Sequence, residues 1–142
     1  MSPLDRRAKA AQACIDRFAG LEYAPGQRDD VRMAAHLLHH LGVAVPILKG
    51  RKWSSEAQGR KLLKKMGFAD LHAAVDSLGF RRIGWASAVA GDLIALPSTC
   101  GVGALGVATG NGSMLAFREG YPGATVIRIE AADHAWRVIE HG

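Results

Sequence analysis

Apolar residues recur at three- and four-residue spacing through the first half of the chain, which is the pattern of amphipathic helices. The spacing predicts a helix over residues 5–19, a second helix that begins at Asp29 or Asp30 and is closed by Gly42, and a third that begins at Ser54 or Ser55. A short fourth helix is expected over residues 69–78. The predicted buried faces are Leu4, Ala8, Ala11, Ile15 and Phe18 in the first helix, Val31, Ala34, Ala35, Leu38 and Leu41 in the second, and Leu62, Leu63 and Met66 in the third.

After Gly79 the pattern changes to short apolar runs separated by turn residues. These runs predict strands over residues 92–96, 104–109, 113–117 and 125–129, with a final strand over 134–139. Gly110-Asn111-Gly112 is a strong hairpin signal between the second and third strands. Helices followed by strands indicate an α+β fold, in which N-terminal helices pack on a C-terminal antiparallel sheet. A length of 142 residues fits a single domain over 1–142.

The formal net charge of +5 suits nucleic acid, an acidic cell-wall polymer or an acidic protein as a partner. Basic and aromatic residues are not interleaved as in single-strand binders, which argues against nucleic acid. No apolar run is long enough to cross a bilayer, and the N-terminus carries no secretory pattern, so synthesis in the cytoplasm is expected. Most of the excess charge comes from Arg51, Lys52, Arg60, Lys61, Lys64 and Lys65, a set typical of a solvated helix face.

Two cysteines, Cys14 and Cys100, are too few for a disulfide framework or a zinc site. One disulfide between them remains open, two buried thiols are the preferred interpretation, and Cys100 is a further option as a displaced nucleophile. The glycines of 101–103 and 110–112 are interpreted as turns, because no helix follows to bind a phosphate. Trp53, Trp85 and Trp136 are each isolated and are expected to be core or interface anchors.

Several histidines offer a second candidate site, one that would bind a metal ion. Asp29, Met33, His36 and His40 fall at helical spacing, so that His36 and His40 could share a metal ion with Asp29. The alternative, a polar helix face with a histidine-rich edge, is preferred because no glutamate base lies nearby. His72 and His134 could join such a cluster in space, although nothing in the sequence places them there.

Three segments carry a family resemblance: Tyr23-Ala-Pro-Gly-Gln-Arg-Asp29-Asp30, Gly91-Asp92-Leu-Ile-Ala-Leu, and the run from Ala104 through Gly110-Asn-Gly112 to Ala116. Together they resemble the NlpC-type cell-wall peptidases, particularly the small phage-tail members of that papain-like group. The resemblance covers about residues 20–120 and is strongest over 20–42 and 91–120. It implies a papain-like version of the α+β fold.

In that family a cysteine at a helix start is paired with a histidine on a facing strand, and a third polar group orients the imidazole. A helix N-terminus and an imidazole both stabilise a thiolate, which explains the arrangement physically. The matching positions here are Asp30, Ala104 and Ala116, which we call the vestigial positions. Aspartate without a histidine is a poor nucleophile toward an amide, and alanine has no titratable atom. The resemblance therefore implies a pseudoenzyme with no catalytic residue, cofactor or metal.

The resemblance further implies a structural component of the phage virion, at the tail tip or baseplate, that is made in the host cytoplasm and takes part in tail assembly. Expected partners are other tail or baseplate proteins, including ring-forming neighbours or copies of itself, with cell-wall contact as a further option. The surfaces expected to bind them are the third helix, residues 44–53 and the C-terminal segment through Trp136. One alternative is an active peptidoglycan hydrolase with a non-standard site that uses Asp29, Asp30, His36 or Cys100. Another is a nucleic-acid or cell-wall polymer binder that depends on the positive charges of Lys61, Lys64 and Lys65.

Overall fold

Four helices form the N-terminal half of the protein in the computed structural model, which describes residues 2–99 and 101–138. They are α1 (Pro3–Phe18), α2 (Asp30–His40), α3 (Glu56–Lys65) and α4 (Leu71–Asp76), and 3₁₀ turns lie at Pro46–Leu48 and Trp85–Ser87. None of these helices is long and apolar enough to cross a membrane. Each of the four begins at a polar cap whose side chain accepts a backbone N–H of the first turn, and the caps are Ser2, Asp29, Ser55 and Asp70.

Six strands form one antiparallel sheet in the order β1-β6-β2-β3-β4-β5. They are β1 (Arg81–Ile83), β2 (Leu93–Leu96), β3 (Ala104–Gly110), β4 (Ser113–Ala116), β5 (Thr125–Arg128) and β6 (His134–Arg137). The α+β fold class predicted from the sequence is confirmed. Strand β1 was not predicted, since three residues that pair only with β6 give too short a pattern. The last predicted strand position, Ile139, lies outside the described residues.

The predicted hairpin joins β3 to β4 through Asn111 and Gly112. Both residues have positive φ, 54° and 74°, as a two-residue type I′ turn requires. Gly110 and Ser113 pair directly across the turn. This local signal therefore sets the register between β3 and β4.

The main core lies between α1, α2 and one face of the sheet. Cys14, Met33 and Leu37 are fully buried there against Leu93 and Val107. The opposite face carries a smaller cluster around Ile94, Ala108 and Met114, against which Trp85 packs. Both faces of the sheet are covered.

The buried stripes of the first two helices differ from the prediction. In α1 the buried residues are Arg7, Ala10, Ala11, Cys14 and Phe18, whereas Leu4 is 68% exposed. In the second helix the predicted Ala34, Leu38 and Leu41 are buried, whereas Val31 and Ala35 are only half-buried. Met33 and Leu37, which were not predicted, are fully buried. Spacing of 3.6 residues allows neighbouring stripes, and contact with the sheet selects between them.

Helix α3 buries none of its residues. The prediction that Leu62, Leu63 and Met66 are buried was therefore wrong, because all three are only half-buried. They line a cleft, and Leu63 also packs against the main core. The cations Lys61, Lys64 and Lys65 are exposed, as the solvated-face prediction required.

A buried ionic cluster joins the two ends of the chain. The carboxylate of Asp92 is fully buried and accepts hydrogen bonds from Arg7 Nη1 at 2.9 Å, Arg137 Nε at 3.0 Å and the N–H of Val138 at 3.1 Å. Arg7 also donates to the carbonyl of Val138. Because the carboxylate is paired and hydrogen-bonded, its burial is compatible with a stable fold.

Candidate functional site

The segment before α2 is held by a close backbone contact. Gly26 has φ of 80°, and a Cβ atom built there would lie 1.7 Å from the carbonyl oxygen of Trp53. Only glycine fits this position, both for its positive φ and for the space available. The turn at Pro25-Gly26 therefore packs on the segment that leads into α3.

Asp29 joins three parts of this region through one buried carboxylate, which is 2% exposed. One oxygen accepts the N–H of Arg32 at 2.8 Å and caps α2, while the other accepts Gly26 N–H at 2.7 Å and Trp53 Nε1–H at 2.8 Å. The Arg32 guanidinium lies 4.3 Å from the centre of the Trp53 ring. Asp29 is thus occupied in positioning the start of α2.

Asp30, the first residue of α2, connects the helix to the sheet. Its Oδ2 atom accepts the N–H of Leu105 in β3 at 2.8 Å, and its Oδ1 atom accepts the N–H of Val31 at 3.1 Å. Burial raises the pKa of Asp30 to about 7, the Leu105 hydrogen bond opposes the rise, and the neighbouring Asp29 carboxylate adds to it. Near neutral pH both protonation states of Asp30 are populated.

The other two vestigial positions lie on adjacent strands. Ala104 begins β3, and Ala116 ends β4. Since Ala108 pairs with Met114 and side chains alternate along a strand, Ala104 and Ala116 belong to the same face of the sheet. Asp30, Ala104 and Ala116 all line one cleft. The face that carries Ala104 and Ala116 also carries Ala108 and Met114 and lies opposite the face on which α2 packs, so the three positions border one cleft without sharing one face of the sheet.

This cleft, called the α2 cleft below, has a volume of about 960 Å³. Its walls come from the 22–25 loop, α2, α3, α4, the ends of β2, β3 and β4, and residues 117–131. Within the described part of the chain, neither a cysteine nor a histidine contributes to its lining. The side chains available for chemistry there are carboxyls, two arginines, the hydroxyls of Ser98 and Thr99, and aromatic residues.

Tyr23 stands at the edge of the α2 cleft and is 43% exposed. Burial raises its pKa, and the carboxylates of Asp30, Glu56 and Asp29 raise it further. Its ring makes an edge contact with Phe117 at a centroid distance of 5.5 Å. A neutral phenol that can donate a hydrogen bond therefore faces the acidic residues at this edge.

The histidines among the described residues form two separate groups, neither of which lines the α2 cleft. His36 and His40 are stacked edge-on at 4.6 Å, and Phe18 packs on His36 at 5.6 Å. Burial and neighbouring cations lower the pKa of His36. Asp29 is committed to its three hydrogen bonds. Among residues 2–99 and 101–138, no group of three His, Cys, Asp or Glu side chains is arranged to hold a metal ion.

His72 and His134 do meet, with ring centroids 5.5 Å apart. His72 Nε2 lies 3.1 Å from the carbonyl oxygen of Leu96 and 3.2 Å from that of Ala104. These contacts hold α4 against the ends of β2 and β3. His72 is thus in contact with the Ala104 backbone but occupies a structural position.

Of the two cysteines, Cys14 is fully buried and its thiol contacts the Met33 carbonyl at 3.6 Å. Burial raises the pKa of Cys14 to about 12, which makes it unreactive. The prediction of a buried thiol is confirmed for Cys14, while Cys100 lies outside the described residues, as do the disulfide and nucleophile options that involve it.

The three tryptophans occupy different environments. Trp136 is fully buried and donates to Asp76 at 2.9 Å, so its side chain is not available to a partner, contrary to the surface predicted at this segment. Trp85 packs under the second face of the sheet, and Trp53 lines the α2 cleft. The role of Trp53 in binding Asp29 was missed because the two residues are 24 positions apart.

Comparison with protein-family models gives one match, which covers residues 3–138 and is described as a domain of unknown function. Comparison with curated proteins gives no match. Comparison with solved structures also gives none. The matched residues include every described helix and strand, and the chain therefore belongs to the DUF6950 family.

Proposed function

We propose that this chain is a catalytically inactive, papain-like NlpC-type domain that serves as a structural component of a phage tail tip or baseplate. The observation that carries the inactive, papain-like part is the contact between Asp30 and Leu105, 2.8 Å long, directly beside Ala104. A helix start held against a strand is the arrangement that a thiolate–imidazole pair needs. Here the two positions supply a carboxyl and a methyl group.

The chemistry of the site supports a binding role over peptide cleavage. Both oxygens of Asp30 accept backbone N–H groups, which reduces their availability as nucleophiles. Ala104 and Ala116 supply neither a base nor an orienting group. A scaffold can lose its chemistry and keep its value as a packing module, because fold and function are separable.

The location in a tail rests on the resemblance of residues 20–42 and 91–120 to small phage-tail peptidases. A virion component of this kind is repeated about a symmetry axis, so its partners are copies of itself or ring-forming neighbours. The exposed cations of α3 and the open α2 cleft are the surfaces that we assign to such contacts.

The test combines location with activity. Particles are purified from a host that produces them, and the chain is located by cryo-electron microscopy with antibody labelling, while purified protein is incubated with peptidoglycan. The proposal expects label at the tail tip and no release of soluble fragments. Absence of the chain from intact particles would contradict the structural role, and fragment release that disappears in Asp30→Ala would contradict inactivity.

A second candidate function is favoured by one specific observation. The pKa of Asp30, raised to about 7 inside a large cleft, suits a general acid or base at neutral pH. An active hydrolase of this kind would lose activity in Asp30→Asn and keep it in Asp16→Asn, which removes an exposed carboxylate from α1. The same peptidoglycan assay therefore separates the two candidates.

A further inference from the structure

We infer that the α2 cleft binds a cationic, amphipathic peptide segment of a partner protein. The inference rests on the proposed function in one respect, namely that the domain acts by binding. It goes further in assigning the site and the chemistry of the partner. Three features of the cleft lead to it: an unfilled apolar floor, an acidic rim and exposed aromatic side chains.

The floor is apolar, and residues 2–99 and 101–138 do not fill it. Leu62 and Leu63 of α3 and the following Met66 lie in the lining together with Val31 and Leu38 of α2. Since α3 has no buried residue, its apolar face is covered only in part by the rest of the fold. A volume of about 960 Å³ stands at the upper end of the ~300–1,000 Å³ found for ligand sites, enough for several side chains.

The rim has the opposite charge to the chain. Six acidic residues line the cleft against two arginines, while the chain as a whole carries +5. Asp29 is used internally, but Glu22, Glu56, Glu119 and Glu130 are exposed. The ion pairs found within residues 2–99 and 101–138 use Asp76 and Asp92 as their acids. Glu56 is hydrogen-bonded to Tyr23, and the other three glutamates are open to a cation from a partner.

Aromatic side chains at the edge fit the same partner. Tyr23 and Tyr121 line the cleft and are 43% and 48% exposed. Tyrosine is enriched at protein interfaces, where its ring packs on aliphatic chains and attracts lysine or arginine. A segment that alternates apolar and basic residues would satisfy the floor, the rim and the rings together.

The rim also decides between kinds of occupant. A fatty acid or an anionic polymer would place its negative charge beside the glutamates, and like charges in contact are unfavourable. Binding driven by the overall charge of +5 would favour a fatty acid or an anionic polymer. Preference for a cation is therefore a property of this cleft that the net charge opposes.

The experiment uses two synthetic peptides with one apolar pattern and opposite charge. An acetylated 14-residue amphipathic peptide of leucine and lysine is titrated into the full chain by calorimetry, alongside its leucine–glutamate twin. We expect the lysine peptide to bind at least tenfold more tightly than the twin. Equal affinity, tighter binding of the glutamate peptide, or preferential binding of anionic phosphatidylglycerol vesicles would overturn the inference.

Variants place the binding in the cleft. The double variant Glu119→Gln and Glu130→Gln removes two exposed rim charges, and we expect a five- to tenfold loss of affinity for the lysine peptide. Asp16→Asn removes an exposed carboxylate from α1 and should leave the affinity unchanged. Equal affinities in all three proteins would overturn the inference even if the peptide binds.

Failure of this inference is distinguishable from failure of the proposed function. Loss of peptide preference, with the chain still at the tail tip and inactive on peptidoglycan, would refute only the assignment of the cleft. Fragment release from peptidoglycan would refute the inactive role whatever the peptides do.

Discussion

The carboxylate of Asp30 accepts the backbone N–H of Leu105 at 2.8 Å, and this contact joins the first residue of α2 to the second residue of strand β3. The contact is made by a group whose folded-state pKa, about 7, lies well above that of a free aspartate. Protonation of one side chain is therefore linked to the stability of the helix–sheet junction.

We predict that Asp30→Asn changes how stability depends on pH. Because the pKa of Asp30 is raised on folding, the folded state binds the proton more tightly than the unfolded state. The stability that Asp30 contributes is therefore fully present below about pH 4 and is lost as the pH rises through about 7. Asn cannot ionise and avoids this loss. Each pKa unit corresponds to about 1.4 kcal/mol, which we discount because Asp30 is partly exposed. Relative to wild type, we expect the free energy of unfolding of Asp30→Asn to be about 1–2 kcal/mol higher at pH 8.5 than at pH 4.5.

The measurement is the free energy of unfolding in urea for both proteins at the two pH values. Asp16→Asn serves as a control for removal of a surface carboxylate. A difference between wild type and Asp30→Asn that stays constant from pH 4.5 to 8.5 would show that Asp30 is not the linked group.

A second prediction restores the missing side chains. In Asp30→Cys combined with Ala104→His, we expect the new thiol to react with iodoacetamide at pH 6 at least tenfold faster than in Asp30→Cys alone. The reason is that an imidazolium beside the helix start stabilises the thiolate. Rates are obtained by mass spectrometry of the separated peptides, in which buried Cys14 should remain unlabelled.

The matched control for this experiment is Asp30→Cys with Val126→His, which places the imidazole on β5 at a residue that is 44% exposed. Equal rates in the two double variants would mean that positions 30 and 104 do not face each other. That result would remove the main support for a papain-like origin without affecting the α+β fold.

A third prediction concerns the loop that positions Asp29 and Asp30. Gly26→Ala should lower the free energy of unfolding by about 2–4 kcal/mol, since a left-handed φ costs about 1–2 kcal/mol and the added Cβ also collides with the Trp53 carbonyl. Gly50→Ala is the control, since Gly50 has φ of 73° and an added Cβ would meet nothing within 4 Å. This variant should lose only the ~1–2 kcal/mol that a left-handed φ costs. Thermal and urea unfolding provide the comparison, and equal losses would show that the contact with Trp53 is not rigid.

Much of the fold could be predicted because its signals are local. The start of α2 follows from Asp29 next to Asp30, where a side chain caps the N–H groups three residues away. The hairpin follows from Asn111-Gly112, since these two residues tolerate the positive φ that a type I′ turn demands. The motif likewise placed Asp30, Ala104 and Ala116 in one region, and the three line one cleft.

What could not be predicted depends on contacts between distant residues. Helical spacing is satisfied by Val31 and Ala35 as well as by Met33 and Leu37, and only the position of the sheet buries the second pair. The sequence indicates Asp92 only as part of a glycine–aspartate strand motif. Its ion pair with Arg7 could not be predicted, because the two residues are 85 positions apart. The α2 cleft is lined by apolar residues of α3 that stay half-buried, which no periodicity in α3 reveals.

The final prediction concerns the buried ionic cluster. Asp92→Ala should destabilise the protein by about 3–5 kcal/mol, because it leaves two arginines and the Val138 N–H without their shared acceptor. Arg82→Gln breaks the exposed pair with Asp76 and should cost about 0–1 kcal/mol, although that pair lowers the pKa of Asp76 to about 2. The free energies of unfolding at pH 7 decide, and similar losses in the two variants would mean that burial of Asp92 does not set the strength of the cluster. Because Arg7 lies on α1 and Arg137 on β6, a large loss for Asp92→Ala would also show that this cluster joins the first helix and the last strand into one cooperative unit.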